Sequence, residues 1–212
     1  MARALQKART VGRVKRVRGF TLIEMMIVVV IIGVLASLAV VGYRKLIVSS
    51  HISEATNMVQ NIRVAQEGYH SETQQYANIS ASVVTGPFYP ANNPPPGCSG
   101  GPCSRAVTAW GAACGGQCNA GMDWSMLPLH VDGPVMFGYA TTAGPANTAP
   151  TDKSVSVSGQ TLTFPSPSPT DWFIVSATCD LDENGSAPGG SGNTNVYTTS
   201  WTNQVYVSND GN

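Results

Sequence analysis

The chain has 212 residues, a formal net charge of zero and only 11 % charged residues, against about 25 % in an ordinary soluble domain. That length accommodates one sizeable domain with an extension and leaves two full domains cramped. The zero hides an asymmetry, because seven of the twelve Lys and Arg residues (Arg3, Lys7, Arg9, Arg13, Lys15, Arg16 and Arg18) precede Phe20 and all twelve acids follow it. From Phe20 onward five cations face twelve acids, a net −7, which excludes nucleic-acid binding driven by overall charge.

Residues 1–19 form a cationic leader. It holds the N-terminus in the cytoplasm and places everything after residue 41 outside the membrane. Residues 20–41, FTLIEMMIVVVIIGVLASLAVV, are a 22-residue apolar run with one charge, Glu24. At about 1.5 Å per residue the run spans roughly 33 Å as a helix, enough to cross a bilayer. A conventional secretory signal cut after Ala39, at the small residues Ser37 and Ala39, is the alternative.

Glu24 argues against that alternative. An acid at a helix centre costs about 2.5–3.5 kcal/mol on insertion scales, and less near an end. A segment that only had to be greasy would not hold one. Such a carboxylate needs a cationic partner, and the span downstream offers none. Cleavage before Phe20 would create one, because the new α-amino group is a cation at the same depth.

The residues R-G-F-T-L-I-E, with Arg18, Gly19, Phe20 and Glu24, followed by the unbroken apolar run, resemble the leader and N-terminus of type IV prepilins. The resemblance covers residues 18–40. It implies cleavage between Gly19 and Phe20 by a membrane prepilin peptidase, N-methylation of Phe20, and pairing of Glu24 with the terminal amine of a neighbouring subunit. Two groups too costly to leave unpaired in hydrocarbon then act as a register device, because only the correct axial stagger satisfies both. The chain departs from the family where related pilins often carry a proline, having Val40, Val41 and Gly42. Gly33 and Gly42 are then the only weak points of the helix, each costing about 1 kcal/mol relative to Ala.

After Gly42 the apolar residues recur at three- and four-residue steps through Leu46, Ile47, Ile52, Ala55, Val59, Ile62, Ala65, Gln66 and Tyr69. The spacing predicts one helix over residues 20–76, roughly 85 Å long at the standard rise. Residues 77–212 then form a globular head. Residues 86–103, GPFYPANNPPPGCSGGPC, are too rich in Gly and Pro for a regular element and read as a long loop. Strand signals follow at 135–140, at Val155 and Val157 opposite Leu162 and Phe164, at 172–177 and at 196–207. Four or five antiparallel strands covering the helix make an α+β head, the fold the resemblance implies.

Cys98, Cys103, Cys114, Cys118 and Cys179 all lie beyond the membrane span, which points to an oxidising compartment and disulfides. Local bridges such as Cys98–Cys103 and Cys114–Cys118 would order the loop, but spacing alone selects none of the two-bridge patterns. The odd thiol is either free or shared between subunits. Zinc is disfavoured because the intervals lack paired C-x-x-C knuckles. Haem attachment is excluded because no C-x-x-C-H is present.

Asp180, Asp182, Asn184 and Gly185 spell D-x-D-x-N-G, the opening of a calcium loop, with Ser186 a further oxygen donor. The acid that completes an EF-hand is absent, since residue 191 is Ser. A solvated acidic turn and a calcium site fed partly by carbonyls both stay open, and calcium-binding members of the resembled family support the second. No catalytic set emerges: His51 and His70 fall on the polar side of the helix, and His130 stands near Asp132 without a nucleophile signature. Tyr43, Tyr69 and Tyr76 read as packing residues. Asn78 and Asn184 begin N-x-S sequons.

The sequence therefore reads as a non-enzymatic structural subunit of a type IV pilus, serving adhesion, surface motility or DNA uptake. Its partners are copies of itself, the prepilin peptidase and the assembly machinery. It passes from the inner membrane to an extracellular filament. A type II secretion pseudopilin is the runner-up within that class. A single-pass membrane protein with a periplasmic ligand-binding domain is the reading from another class, and in it Glu24 would be dispensable.

Overall fold

The computed structural model describes residues 19–90, 109–111, 114, 118–119, 121–157, 160–179, 181 and 193–208. The chain divides into two units, residues 1–43 and residues 44–212, and one helix, α1 (Leu22–Thr73), supplies a segment to each. Six strands follow: β1 (Gly138–Gly144), β2 (Ser154–Val157), β3 (Gln160–Thr163), β4 (Trp172–Cys179), β5 (Thr194–Thr199) and β6 (Thr202–Ser208). This is the α+β arrangement expected, a long apolar N-terminal helix and a C-terminal antiparallel sheet.

In the first unit every described residue from Gly19 to Tyr43 is exposed. Its apolar side chains have no core of their own within the chain; Leu22 is 77 % exposed and Leu38 67 %. Ser37, polar within the span, donates to the Val34 carbonyl at 2.7 Å, so its hydroxyl is satisfied by its own helix. The helix runs unbroken through Gly33 and Gly42, and a Cβ at either glycine would meet no atom within 4 Å.

In the second unit, residues 44–73 of α1 turn one face to a four-stranded antiparallel sheet of order β1-β4-β5-β6. Ala55, Met58, Val59, Ile62 and Ala65 of the helix pack with Phe173, Val175 and Ala177 of β4 and Val196 of β5. Val59 and Ile62 are fully buried, and each such side chain contributes about 1.5–3 kcal/mol relative to exposure. The opposite face of the sheet, through Ala140, Trp172, Ile174 and Tyr197, is covered by Val83, Phe88, Val155 and Val157 of the β2–β3 pair, and Phe164 just after it. Both faces are therefore buried. That explains why WFIVSATC of β4 is buried at all eight positions instead of alternating.

Several boundaries differ from the expected ones, beginning with the helix start at Leu22 instead of Phe20. The helix stops at Thr73 instead of Tyr76, because Gln74 adopts φ +59° and its N–H closes on the His70 carbonyl at 2.8 Å. The strand expected at 135–140 begins at Gly138, since the Met136 N–H is taken by Glu54 Oε1 of the helix at 3.1 Å and not by a ladder. It continues to Gly144, where a Cβ would lie 2.6 Å from the Trp172 ring. The strand expected at 196–207 is a hairpin, β5 and β6, turning at Ser200 and Trp201. The β2–β3 pair has Val155 opposite Leu162.

Gln66 ties the end of the helix to the chain that leaves it. Its fully buried amide donates to the Ala77 carbonyl at 2.8 Å and to Thr141 Oγ1 at 3.0 Å, and accepts the Ala77 N–H at 2.9 Å. Nearby, Asp171 Oδ1 accepts the Ala146 N–H at 2.8 Å and Oδ2 lies 3.4 Å from His70 Nε2. The Ala146 N–H, and then His70, hold the Asp171 carboxyl below the usual carboxylate range. A depressed folded pKa contributes stability above the ordinary carboxylate value of about 3.9 and loses it as pH falls through the depressed one. The melting temperature of the wild-type chain should therefore fall on acidification below about pH 4, and Asp171→Asn, which keeps Oδ1 as acceptor, should flatten that limb in a thermal-melt series.

Candidate functional site: the N-terminal segment

The first turn of α1 is capped by its own side chains. Thr21 is the N-cap: its Oγ1 accepts the Glu24 N–H at 3.3 Å, while Glu24 Oε2 accepts both the Thr21 N–H and the Thr21 hydroxyl at 3.0 Å. This is a capping box, T-x-x-E, in which two backbone donors left over at the helix start are satisfied reciprocally. The carboxylate also sits at the positive end of the helix dipole. Glu24 Oε1 has no partner among the described residues. Thr21 does not declare itself by charge as Glu24 does, but Thr three residues before Glu at the head of an apolar run is the sequence signature of this box.

Around this cap, Phe20 is 75 % exposed and a Cβ on Gly19 would meet nothing within 4 Å. Packing among the described residues therefore accounts for neither the small residue nor the aromatic. Glu24 and Phe20 are brought together at one end of an uncovered apolar helix.

The other expected residues fall elsewhere. Cys114 and Cys118 form a disulfide, and Cys114 is buried beside a cluster of Tyr89, Trp110, Trp124 and Tyr139. Asp123 holds that corner, accepting the Ser125 N–H at 2.9 Å and the Cys114 N–H at 3.2 Å. Cys179 is buried on β4. Cys98 and Cys103 lie outside the described residues, as do the calcium-loop candidates Asp180, Asp182, Asn184 and Ser186. Among the described residues no group of three His, Cys, Asp or Glu side chains is placed to hold a metal ion.

His70 is not merely solvated. It stacks on Tyr76 with ring centroids 4.2 Å apart, and Tyr76 meets Phe173 edge-on at 4.8 Å. Tyr69 and Tyr76 pack on the core, whereas Tyr43 lies in the first unit and is 66 % exposed. His130 Nε2 lies 2.9 Å from Asp132 Oδ1 at an exposed position. Asn78 is engaged structurally, its Oδ1 accepting the Ala143 N–H at 3.1 Å, and Ser80 of the same sequon is buried.

The family pattern described as "Prokaryotic N-terminal methylation motif" matches residues 14–40. The chain is 40 % identical over 72 residues to the "Type IV major pilin protein PilA" of Myxococcus xanthus, covering 34 % of this chain and 33 % of that one. It is 44 % identical over 55 residues to "Fimbrial protein EcpC" of Eikenella corrodens, covering 26 % and 36 %. It is 43 % identical over 47 residues to "Type IV major fimbrial protein FimA" of Dichelobacter nodosus, covering 22 % and 29 %. The chain thus spans about a third of the length of the curated relatives it matches. No solved structure matches it. Residues 14–40 thus carry the N-terminal methylation motif, and over its N-terminal third the chain is similar to type IV pilins and fimbrial proteins.

Proposed function

We propose that the protein is a structural, non-enzymatic subunit of a type IV pilus filament. It is made as an inner-membrane precursor, cut between Gly19 and Phe20, N-methylated on Phe20 and assembled through the helix that begins there. The observation that carries this reading is the helix of the first unit, whose side chains are exposed and apolar and whose single charged group among the described residues 19–43, Glu24, stands in its first turn. Such a surface is stable only in lipid or against sister helices. The geometry of the cap adds a division of labour: Oε2 is held by Thr21, and Oε1 is left for the α-ammonium of a neighbour. Gly19, which no packing within the chain requires, suits the residue that a peptidase must admit.

Intact-mass measurement and N-terminal sequencing of the mature protein test the reading. The expected product has 193 residues, begins at Phe20 and is one methyl group heavier than the bare chain. A product beginning at Val40 would instead support a secreted domain freed of its signal, and one retaining Met1 a single-pass anchored domain.

A further inference from the structure

A cleft of about 430 Å³ opens in the second unit where the chain reverses after α1 and meets the end of β1. Its size is that of a small-molecule site. Gln75, Asn78 and Asp171 supply polar groups to its lining, and Met122, Ala143 and Pro145 supply apolar surface. None of its described lining residues is cationic, which argues against an anionic ligand.

Two of the polar groups are held in place before any ligand arrives. Asn78 Oδ1 is committed to the Ala143 N–H at 3.1 Å, which fixes the amide and leaves Nδ2 a donor without a partner among the described residues. Asp171 is anchored by the Ala146 N–H at 2.8 Å and flanked by His70 at 3.4 Å, so its carboxylate is a preset acceptor. Gln75, exposed on the rim, adds an amide that both donates and accepts. A fixed donor and a fixed acceptor beside an apolar wall match a ring that carries hydroxyls on its edge and C–H groups on its face, since each hydroxyl donates and accepts.

We propose that this cleft binds a neutral polyhydroxylated ring of monosaccharide size, with hydroxyls between Asn78 Nδ2 and Asp171 and an apolar face on Met122 and Pro145. The site lies wholly in the second unit and does not depend on the filament reading.

The test uses the full chain in a non-ionic polyoxyethylene detergent with isotope-labelled methionine methyl groups, titrated with D-glucose, D-galactose and N-acetyl-D-glucosamine. The Met122 methyl resonance should shift saturably, with half-saturation on the order of 1–10 mM for a ligand of this size. Met25 and Met26, in the first unit, should not move. Asn78→Asp keeps the oxygen that receives the Ala143 N–H and replaces only the free donor, so it should weaken binding at least about tenfold. If that variant does not fold, Gln75→Ala, at an exposed position, should weaken binding about threefold or more. The proposal is overturned if Met122 is unmoved by all three sugars up to about 100 mM, or if the folded variants bind as the wild type does. It is equally overturned if tetramethylammonium shifts Met122 in preference to the sugars, which would make the cleft a cation site.

Discussion

Glu24→Gln should lower the yield of filaments sheared from the cell surface about 100-fold or more, while the chain still inserts in the membrane and is still trimmed before Phe20. The amide keeps the shape of the side chain and its place in the first turn, so the helix start survives. What it loses is the charge that, in the proposed assembly, answers the neighbour's α-ammonium. Leaving one partner of a buried ion pair alone costs about 3–5 kcal/mol, and 1.4 kcal/mol is a factor of ten in an equilibrium. Thr21→Ala separates the two duties of the carboxylate. It removes the hydroxyl that donates to Glu24 Oε2 and accepts the Glu24 N–H, a loss of about 0.5–2 kcal/mol for an N-cap, so its assembly defect should be smaller but measurable. Immunoblots of sheared and membrane fractions, scaled to precursor level, read both effects. Filaments from Glu24→Gln at wild-type yield would sink the charge-pairing account while leaving the processing account untouched.

The second large effect should come from Gln66→Ala, a destabilisation of about 3–5 kcal/mol. Gln66 is fully buried and satisfies three groups, the Ala77 N–H, the Ala77 carbonyl and the Thr141 hydroxyl. Ala77 and Thr141 are fully buried too, so truncation strands all three at about 1–3 kcal/mol each, relieved in part by entering water or relaxation. Denaturant unfolding of the detergent-solubilised chain, followed by near-ultraviolet circular dichroism of the Tyr89, Trp110 and Trp124 cluster, measures the loss. A change below about 1 kcal/mol would show that the chain reversal after α1 is held by other contacts.

Both residues are instructive about legibility. Glu24 is conspicuous in the sequence because one charge interrupts a 22-residue apolar run, and the bilayer makes such an exception expensive whatever the fold. Gln66 falls at a helical step among apolar residues. Yet nothing local distinguishes a glutamine facing water from one buried against Ala77, a residue eleven positions on, and Thr141, seventy-five positions on.

The apolar span, the α+β class and the existence of most strands follow from local composition and period, which depend on side chains a few residues apart. The N-terminal site lies within five residues, Phe20 to Glu24, and so could be read without a fold. Where elements end is a different matter. Met136 gives its N–H to Glu54 of the helix instead of to a strand, and β1 reaches Gly144 because it stays paired with β4 as far as Trp172, whose ring leaves no room for a Cβ there. The turn at Ser200 and Trp201 carries no Gly or Pro signal; the Phe173 carbonyl accepts the Ser200 N–H at 3.0 Å, and the Trp201 ring stacks between Phe164 and Trp172. The cleft belongs with these features, since Asn78 and Asp171 meet only after the chain has reversed and the sheet has formed. A charge in an apolar run declares itself because its cost is set by the solvent, whereas a partner far along the chain exists only once folding has brought it near.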